Sequence, residues 1–397
     1  MRTQRFKALR IRDFRLYFTG QTISLIGTWM QQTALGWLVY SLTKSSFYLG
    51  LLAMALSLPV LFFTLIGGLI ADRFRKRNIL IATQGLSIIP AILLSVIAYR
   101  GGANIWVILA VSAILGIINS IDIPVRQSYI IEIAGRENLL NAVALNSTTF
   151  HTARIIGPFI SGIVIDHIGI APCFYINVFS FLPVIVALLS IPLKQDSSIC
   201  KSSGIVRDFG DGLTFIKDNS RLLYLILTIT VFSLFVIPFS QFLPVFADKV
   251  FKVGVRGFGY MMSSVGIGSA LAGFIIAFRG DIQKKRLFMS ITSVISPISL
   301  LAFALSSNFV LSLVFLCVVG FNMVSFLATA NSYIQLKTKD ELRGRVMSVY
   351  TMMFLGMAPV GAAFMGTLAV SLGIQKTIVI NTIACLAGVI FFRNKWK

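Results

Sequence analysis

Residues 67 to 77 read Gly67-Gly68-Leu69-Ile70-Ala71-Asp72-Arg73-Phe74-Arg75-Lys76-Arg77. A long apolar run ends in this stretch, and the next apolar run begins at Ile79. Glycines in a membrane helix allow a neighbouring helix to approach its backbone closely. An ordinary basic loop explains the cations, but it does not explain Gly68 and Asp72 at a spacing of one helical turn. The stretch therefore predicts a hinge between two membrane spans with a specific packing contact.

The composition of the chain is that of a membrane protein with many spans. Hydrophobic residues make up 56% of the chain, charged residues make up only 12%, and the mean hydropathy is +0.87. A soluble core of this length does not need so much apolar surface. The formal net charge of +21 lies in segments between the apolar runs. The positive-inside rule accounts for this charge better than nucleic-acid binding does.

Apolar runs of about 19 residues or more predict membrane-spanning helices. The chain contains about twelve such runs, taking that length as the criterion. They cover residues 14–40, 47–71, 78–99, 104–125, 142–165, 171–193, 221–246, 256–278, 287–305, 309–334, 346–370 and 374–392. The cations then fall almost entirely on one side of the membrane, which places both termini in the cytoplasm.

One long hydrophilic connection divides the predicted spans into two groups of equal number. We predict an N-terminal six-helix bundle over 1–194, a cytoplasmic central loop over 195–220 and a C-terminal six-helix bundle over 221–397. The predicted fold class is therefore an all-α membrane protein with twelve transmembrane helices in two pseudo-symmetric six-helix bundles.

The two halves also resemble each other in sequence, which indicates duplication. Transporters built from parallel repeats follow the same plan. A shift of 204 positions superposes Gly157 on Gly361, Gly162 on Gly366 and Gly169 on Gly373, and a shift of 209 superposes Gly50 on Gly259 and Asp72 on Asp281.

Two motifs carry a family resemblance. The pattern Gly68-x-x-x-Asp72-Arg73-x-x-Lys76-Arg77 resembles the signature of the major facilitator superfamily between its second and third spans. The run from Gly157 and Pro158 to Gly162 is similar to the glycine-proline motif of exporters in that superfamily. Stretches around 136–142, 243–246 and 342–350 look like the branch that contains siderophore exporters and bacterial drug/proton antiporters.

The resemblance implies a transporter that works by alternating access between two six-helix bundles. It implies a proton-coupled exporter of a small amphipathic compound, either drug-like or a siderophore. Its partners would be this substrate, protons and the lipid bilayer. The protein would act as a monomer in the bacterial cytoplasmic membrane. No cofactor is implied.

Other function classes are weaker interpretations of the same residues. A lipid or lysophospholipid translocator of the same fold is the main alternative. A channel is disfavoured because the sequence lacks a repeated filter motif or a charged ring. An enzyme is disfavoured because no His, Asp, Glu or Cys constellation has metal-binding or nucleophilic spacing.

The resemblance also suggests an inner gate. In the superfamily, an acid at the inner end of span four can pair with the basic residue of the signature, and Asp122 takes that position at the depth of Lys76. Asp122 is thus expected to be a gate residue, with a proton carrier and a purely structural ion pair as alternatives. The gating set is Gly68, Asp72, Arg73, Lys76, Arg77 and Asp122.

Ionisable side chains inside spans are costly and usually face a cavity or a partner. Besides Asp122, the spans carry Arg126, His151 and Arg154. Arg154 could face the cavity and bind an anionic substrate group or pair with Asp122, or it could be a packed structural arginine. His151 lies on the same helix face as Arg154, and a histidine titrates near neutral pH, although a lone histidine is also often structural.

Neutral polar side chains in both halves are candidates for a central cavity, as a site at a repeat interface requires. Some of them would instead be hydrogen-bonding contacts between helices. The candidates are Gln31, Gln32, Asn119, Asn146, Asn177, Gln241, Asn322 and Asn331. Among aromatic residues, Trp29, Trp37, Phe232, Phe235 and Phe239 could line an apolar pocket or fill helix packing.

Overall fold

The computed structural model describes residues 7–101, 104–192, 205–279, 284–339 and 342–396. Within these ranges it does not describe the side chains of 64–66, 68, 69, 71–73, 136, 140, 205–209, 211, 212, 277 and 279. The described residues form helices and contain no β-strand. This agrees with the predicted all-α class.

The helices follow the predicted apolar runs closely. They are α1 (Arg12–Thr43), α2 (Ser46–Arg73), α3 (Lys76–Arg100), α4 (Ile105–Ala134), α5 (Leu139–Ile168), α6 (Ala171–Ser190), α7 (Ile205–Asp218), α8 (Ser220–Phe235), α9 (Leu243–Val245), α10 (Gly254–Arg279), α11 (Lys285–Leu305), α12 (Phe309–Lys337), α13 (Arg343–Leu372) and α14 (Ile374–Trp396).

Local sequence signals fix several helix ends. Asn104, Asn219 and Asn308 each precede a helix, and each side chain accepts a hydrogen bond from a backbone N–H of the first turn. These bonds satisfy donors that have no partner within the helix. At the other end, Gly169 after α5 and Gly373 after α13 have φ values of 104° and 79°. Glycine adopts this region without a steric penalty.

Ten of the described helical segments are long and apolar enough to cross a membrane. The helices α1 and α5 are not among them, although they contain 32 and 30 residues. Both carry many polar side chains. In α1 several of these are buried inside the protein, including Gln21, Ser24 and Gln31. In α5, Thr149 and Ser161 are buried as well, whereas Ser147 and Thr148 are exposed. The polar side chains of both helices lower their mean hydropathy, although both are long enough to span a membrane.

Helix α4 is longer than predicted. The predicted span ends at residue 125, but the helix continues through Pro124 to Ala134. The added turns are amphipathic and bury Tyr129, Ile130 and Ile133 in a cluster that also contains Phe14. Asp122 thus lies twelve residues, or about 18 Å at 1.5 Å per residue, before the end of the helix. The sequence placed Asp122 at the inner end of this span, whereas the helix itself continues three turns beyond it.

The span predicted over 221–246 is not one regular helix. Helix α8 ends at Phe235, and a 3-10 segment (Ile237–Phe242), α9 and a π-helical turn (Phe246–Val250) follow it. Pro238 and Pro244 lie in these turns. Proline removes a backbone donor and clashes with the preceding helical turn, so the irregular backbone follows directly from the sequence.

The contacts divide the chain into two compact units, which we describe separately. Unit 1 comprises Met1–Lys44, Ala55–Cys200 and Gly254–Ser263, and unit 2 comprises Ser45–Met54, Lys201–Val253 and Ser264–Lys397. Unit 1 thus includes the first residues of α10, and unit 2 includes those of α2. Within unit 2, part of the predicted central loop forms helix α7, where Ile216 is buried.

The predicted repeat is visible as one glycine crossing that occurs in both units. In unit 1, a Cβ added to Gly259 would lie 2.7 Å from the carbonyl oxygen of Pro158 and 3.1 Å from the Cα of Gly162. In unit 2, a Cβ added to Gly50 would lie 2.6 Å from the carbonyl oxygen of Ala362. Gly50 corresponds to Gly259 under the shift of 209, and Ala362 corresponds to Pro158 under the shift of 204.

Candidate functional site

Unit 1 contains a cavity of about 270 Å³ between its helices. Its wall combines neutral polar, aromatic and aliphatic side chains with a single charged one, Arg126. The lining residues are Leu25, Thr28, Trp29, Gln31, Gln32, Leu35, Leu56, Gln84, Ser87, Leu115, Asn119, Ile123, Arg126, Phe150, Asn177 and Phe181. They come from helices α1 to α6, so each of these six helices contributes to the wall of the cavity.

The cavity brings together many of the residues that the sequence suggested. The wall includes the suggested polar and aromatic residues Trp29, Gln31, Gln32, Asn119 and Asn177. Asn146 is half-buried on α5 and is not part of the wall. The prediction omitted Thr28, Gln84, Ser87, Phe150 and Phe181. The sequence could have suggested Gln84 as a cavity residue, because it is an amide inside the apolar run that forms α3.

The carboxylate of Asp122 is the centre of a buried network beside the cavity. Its side chain is almost fully buried. One oxygen, Oδ1, accepts hydrogen bonds from Thr83 Oγ1 at 2.7 Å and from Gln84 Nε2 at 2.9 Å. The other oxygen, Oδ2, forms an ion pair with Arg126 one turn further along α4. Ser24 Oγ donates to Gln84 Oε1 at 3.3 Å, which connects the network to α1.

In this structure Asp122 does not form the pair with Lys76 that the resemblance suggested. Lys76 Nζ instead lies 3.3 Å from Glu132 Oε2, near the end of α4. Asp122 contacts Thr83 and Gln84, which are two turns further into α3 than Lys76. The longer α4 explains the difference, because Glu132 takes the depth that was assigned to Asp122.

A double-mutant cycle on Lys76 and Glu132 measures the strength of this ion pair. The two side chains are 26% and 33% exposed, so solvent screens their attraction. We expect a coupling energy of about 0.2–1 kcal/mol for Lys76→Met and Glu132→Gln. Thermal unfolding of the four purified proteins gives this value, and a coupling of several kcal/mol would contradict it.

The remaining signature residues are only partly described. Gly67 packs against the backbone of Ser120, so that a Cβ would overlap the carbonyl oxygen of Ser120. Arg77 donates from Nε to the carbonyl oxygen of Leu188 at 2.6 Å and from Nη2 to that of Leu189 at 3.0 Å. Arg77 thus anchors the start of α3 to the end of α6. The packing around Gly68 and the side chains of Asp72 and Arg73 are outside what the structure describes.

Arg154 does not line the cavity but lies behind one of its aromatic walls. Its guanidinium carbon is 5.5 Å from the ring centre of Trp29. Phe150, one turn earlier on α5, contacts the same ring edge-to-face at a centroid distance of 5.6 Å. A cation over an indole face is a favourable contact. The described residues provide no carboxylate partner for Arg154.

His151 is adjacent to this aromatic pair. Its ring contacts Phe150 edge-to-face at 5.7 Å. Its Nδ1 is buried and has no hydrogen-bond partner among the described residues. It does not line the cavity.

Besides the network around Asp122, two amides form a direct polar contact between α1 and α6. Asn177 Nδ2 donates to Gln31 Oε1 at 2.8 Å. Asn177 Oδ1 accepts from Ser180 Oγ at 2.9 Å. Both amides also line the cavity. They are therefore contacts between helices and part of the wall at once.

The motif from Gly157 and Pro158 to Gly162 brings α5 into close contact with α1 and with the start of α10. A Cβ added to Gly157 would lie 2.5 Å from the Cβ of Trp29 and 3.0 Å from the carbonyl oxygen of Ile26. A Cβ added to Gly162 would lie 3.2 Å from the Cα of Gly259 at the start of α10. The motif thus lets α5 approach α1 closely and keeps Trp29 in place beside the cavity.

The candidates in the C-terminal part of the chain belong to unit 2 and do not line this cavity. Gln241 is exposed, and Asn322 Nδ2 donates to the carbonyl oxygen of Val318 on its own helix at 2.9 Å. Asn331 Oδ1 accepts from Gln335 Nε2 at 2.5 Å. Phe232 is fully buried and contacts Phe326 at 5.3 Å. This residue fills helix packing, which was the alternative interpretation.

No group of three or more His, Cys, Asp or Glu residues with metal-binding geometry occurs in the described ranges. The cavity wall and the adjacent network consist of amide, hydroxyl, aromatic and aliphatic side chains and one buried ion pair.

Comparisons of sequence agree with this picture of a membrane transporter. A sequence model of the transmembrane secretion effector family matches residues 3–395. The chain is 26% identical to a staphyloferrin A transporter of Staphylococcus aureus, covering 96% of both chains. It is 21% identical to macrolide efflux protein A of Streptococcus pyogenes, covering 94% of both. It is 25% identical to the multidrug efflux pump Tap of Mycobacterium tuberculosis, over 87% of this chain and 84% of the pump.

Solved structures share the fold at lower identity. A bacterial homologue of the human lysosomal transporter Spinster superposes with a TM-score of 0.75 at 12% identity, over 99% of this chain and 98% of the other. The nucleoside transporter NupG superposes with a TM-score of 0.73 at 15% identity, over 98% and 99%. At these identities the likeness establishes the architecture alone.

Proposed function

The chain belongs to the transmembrane secretion effector family of the major facilitator superfamily, and from this membership we propose that it is a proton-coupled exporter of a small amphipathic compound. The family and the relatives above are transporters rather than enzymes. Transport would proceed by alternating access. The observation that carries the proposal is the cavity of unit 1, whose wall joins aromatic rings to a row of amides and one cation.

The mixed wall suits an amphipathic substrate. Trp29, Phe150 and Phe181 offer apolar surface to a ring or a hydrocarbon part. Gln31, Gln32 and other amides offer both donors and acceptors, because each amide carries an oxygen and an NH₂ group. Ligand sites of this kind bind by apolar contact and are made selective by a few polar groups. The relatives include a staphyloferrin A transporter, a macrolide efflux protein and a multidrug efflux pump, which favours a siderophore or a drug-like molecule.

We assign proton coupling to Asp122. It is a buried carboxylate inside a helix, and such groups in transporters commonly belong to proton relays. Lys76 and Asp72 are assigned to the inner gate, with Glu132 as the partner of Lys76 in the present conformation. The protein would act as a monomer, in a membrane whose lipids contact the exposed apolar residues of its helices.

Transport driven by an imposed pH gradient tests both assignments. Purified protein in lipid vesicles should move a substrate, found by screening siderophores and drugs, against its concentration gradient when the proton gradient favours export. Asp122→Asn should lose gradient-driven flux but keep substrate counterflow, which needs no proton. Full gradient-driven flux in this variant would contradict the role of Asp122. Gradient-independent flux in the wild type would contradict proton coupling itself.

We further propose that the chain lies in the bacterial cytoplasmic membrane with both termini inside. In that orientation Tyr99 faces the outside and Phe74 faces the cytoplasm, and their side chains are 82% and 65% exposed. In a variant without native cysteines, Tyr99→Cys should react with a membrane-impermeant maleimide in whole cells. Phe74→Cys should react only after the cells are lysed. The reverse pattern would contradict the orientation.

A further inference from the structure

Arg126 is the single charged residue in the wall of the unit 1 cavity. The other polar lining side chains are hydroxyls and amides, which carry no charge. A charged group that lines a cavity within membrane-spanning helices is expensive unless it has a partner or a function. The side chain of Arg126 is 20% exposed, so only part of it faces open space.

Asp122 does not accept from all the hydrogen-bond donors of Arg126. A guanidinium has five N–H groups and no acceptor. One terminal nitrogen, Nη2, bonds to Asp122 Oδ2. The Nε of Arg126 is buried and has no hydrogen-bond partner among the described residues. A buried donor without an acceptor is unfavourable, so Asp122 does not satisfy the whole guanidinium.

The carboxylate of Asp122 is held by other residues as well. Thr83 and Gln84 both donate to Oδ1, and α4 itself fixes the distance between Asp122 and Arg126. Asp122 therefore does not need to move when a second anion approaches the guanidinium. Arginine can hold a planar anion through two parallel N–H bonds, and Asp122 occupies only one terminal nitrogen of Arg126, Nη2.

The charges around the cavity favour an anion over a cation. The cations of this region are Arg126 in the wall and Arg154 over the ring of Trp29, whereas the carboxylate beside the wall, Asp122, pairs among the described residues with Arg126 alone. The described part of this region thus has an excess positive charge. In a low-dielectric interior such an excess acts strongly on a bound ligand.

We infer that the exported compound is an anion, and that Arg126 binds its carboxylate or an equivalent planar anionic group. This inference rests on the proposed export function and specifies its substrate class. The apolar part of the compound lies against Trp29, Phe150 and Phe181, while Gln31 and Gln32 bind its neutral polar groups. Arg154 contributes to the positive potential but does not touch the ligand.

Binding of matched probes to the full-length protein in detergent tests the inference. The probes are 1-naphthoate, its neutral amide 1-naphthamide, the cation 1-naphthylmethylammonium, and citrate as a compact polycarboxylate. We expect 1-naphthoate or citrate to raise the melting temperature of the wild type, and the amide and the cation to have at least tenfold weaker effects. Arg126→Gln should weaken carboxylate binding by at least tenfold. Arg126→Lys keeps the charge opposite Asp122 and should weaken it less.

A matched control removes a cation elsewhere. Arg100, an exposed residue at the end of α3, is replaced in Arg100→Gln, which should bind the carboxylates like the wild type. The inference is overturned if no carboxylate stabilises the wild type, if the cation binds as well as the anion, or if Arg126→Lys and Arg126→Gln, both folded by circular dichroism, bind unchanged.

Transport measurements separate this inference from the export function. Vesicle flux of a cationic drug that is unaffected by Arg126→Gln would overturn the anion site and leave export intact. Carboxylate binding that depends on Arg126, without flux of any compound, would overturn export and leave the site intact. Flux of a carboxylate that is lost in Arg126→Gln supports both.

Discussion

Asp122→Ala is expected to lower the free energy of unfolding by about 3–5 kcal/mol and to abolish transport. The variant leaves Arg126 charged and without its carboxylate in the interior of unit 1. Gln84 Nε2 also loses its acceptor, whereas Thr83 keeps a bond to the carbonyl oxygen of Leu80 at 3.1 Å. Removing one partner of a buried ion pair is costly because the other charge remains desolvated. Reversible unfolding in mixed micelles measures the loss.

The double variant Asp122→Leu/Arg126→Met is the control for this prediction. Replacing both partners of a buried ion pair by apolar residues is often neutral or stabilising. We therefore expect the double variant to recover most of the stability that Asp122→Ala loses, while transport stays absent. If the double variant is as unstable as Asp122→Ala, then the unpaired Arg126 is not the cause of the loss. If it transports normally, the network has no part in function.

Gly157→Ala is expected to destabilise the protein by about 1–3 kcal/mol and to reduce transport at least tenfold. The new methyl group would lie 2.5 Å from the Cβ of Trp29 and 3.0 Å from the carbonyl oxygen of Ile26. Neither atom is the end of a flexible side chain, so the α1 backbone must move away from α5. Trp29 lines the cavity, and its displacement changes the substrate wall. Substrate affinity and thermal stability together measure the effect.

Two other glycines provide matched controls. Gly85 lies in the middle of α3, and a Cβ added there meets no described atom within 4 Å. Gly85→Ala should be neutral or stabilising by up to about 1 kcal/mol, since alanine is the better helix former. Gly361→Ala repeats the clash in unit 2, where the methyl would overlap the carbonyl oxygen of Leu234. It should lower stability without altering the affinity of the unit 1 cavity. Equal effects of Gly157→Ala and Gly85→Ala would refute the packing argument.

The sequence predicted the helices because a membrane imposes a simple rule on the backbone. In lipid every N–H and C=O must be bonded within the segment, so long apolar runs become helices. The predicted bounds of most spans agree with the structure to within a few residues. The errors have local causes: α4 continues as an amphipathic helix beyond its apolar run, and prolines break the segment after α8.

The sequence also revealed the repeat through its glycines. A glycine at a helix crossing cannot be replaced without a clash, and corresponding crossings keep glycine at corresponding positions. The paired shifts of 204 and 209 positions predicted equivalent sites, and Gly259 and Gly50 occupy equivalent contacts in their units. Small residues at close helix contacts are therefore readable from one sequence when the fold is duplicated.

The sequence did not determine which ionisable side chains pair with each other. It provided Asp122, Arg126 and Arg154 as ionisable residues inside spans, but three groups on two helices allow several pairings. The structure pairs Asp122 with Arg126, Thr83 and Gln84, and places Arg154 over Trp29. Which side chains meet depends on the rotation and depth of each helix, and these are set by packing between helices rather than by hydropathy.

What the sequence by itself determined about this protein is its class, its helices, its duplication and its superfamily, because each of these follows from local composition or from short motifs. Only the tertiary structure decided that the signature lysine pairs with Glu132, that Asp122 belongs to a buried network, and that Arg126 rather than Arg154 lines the cavity. The physical reason is that the neighbour of each side chain depends on the rotation and depth of its helix. Packing between helices sets both, and neither follows from local composition or short motifs.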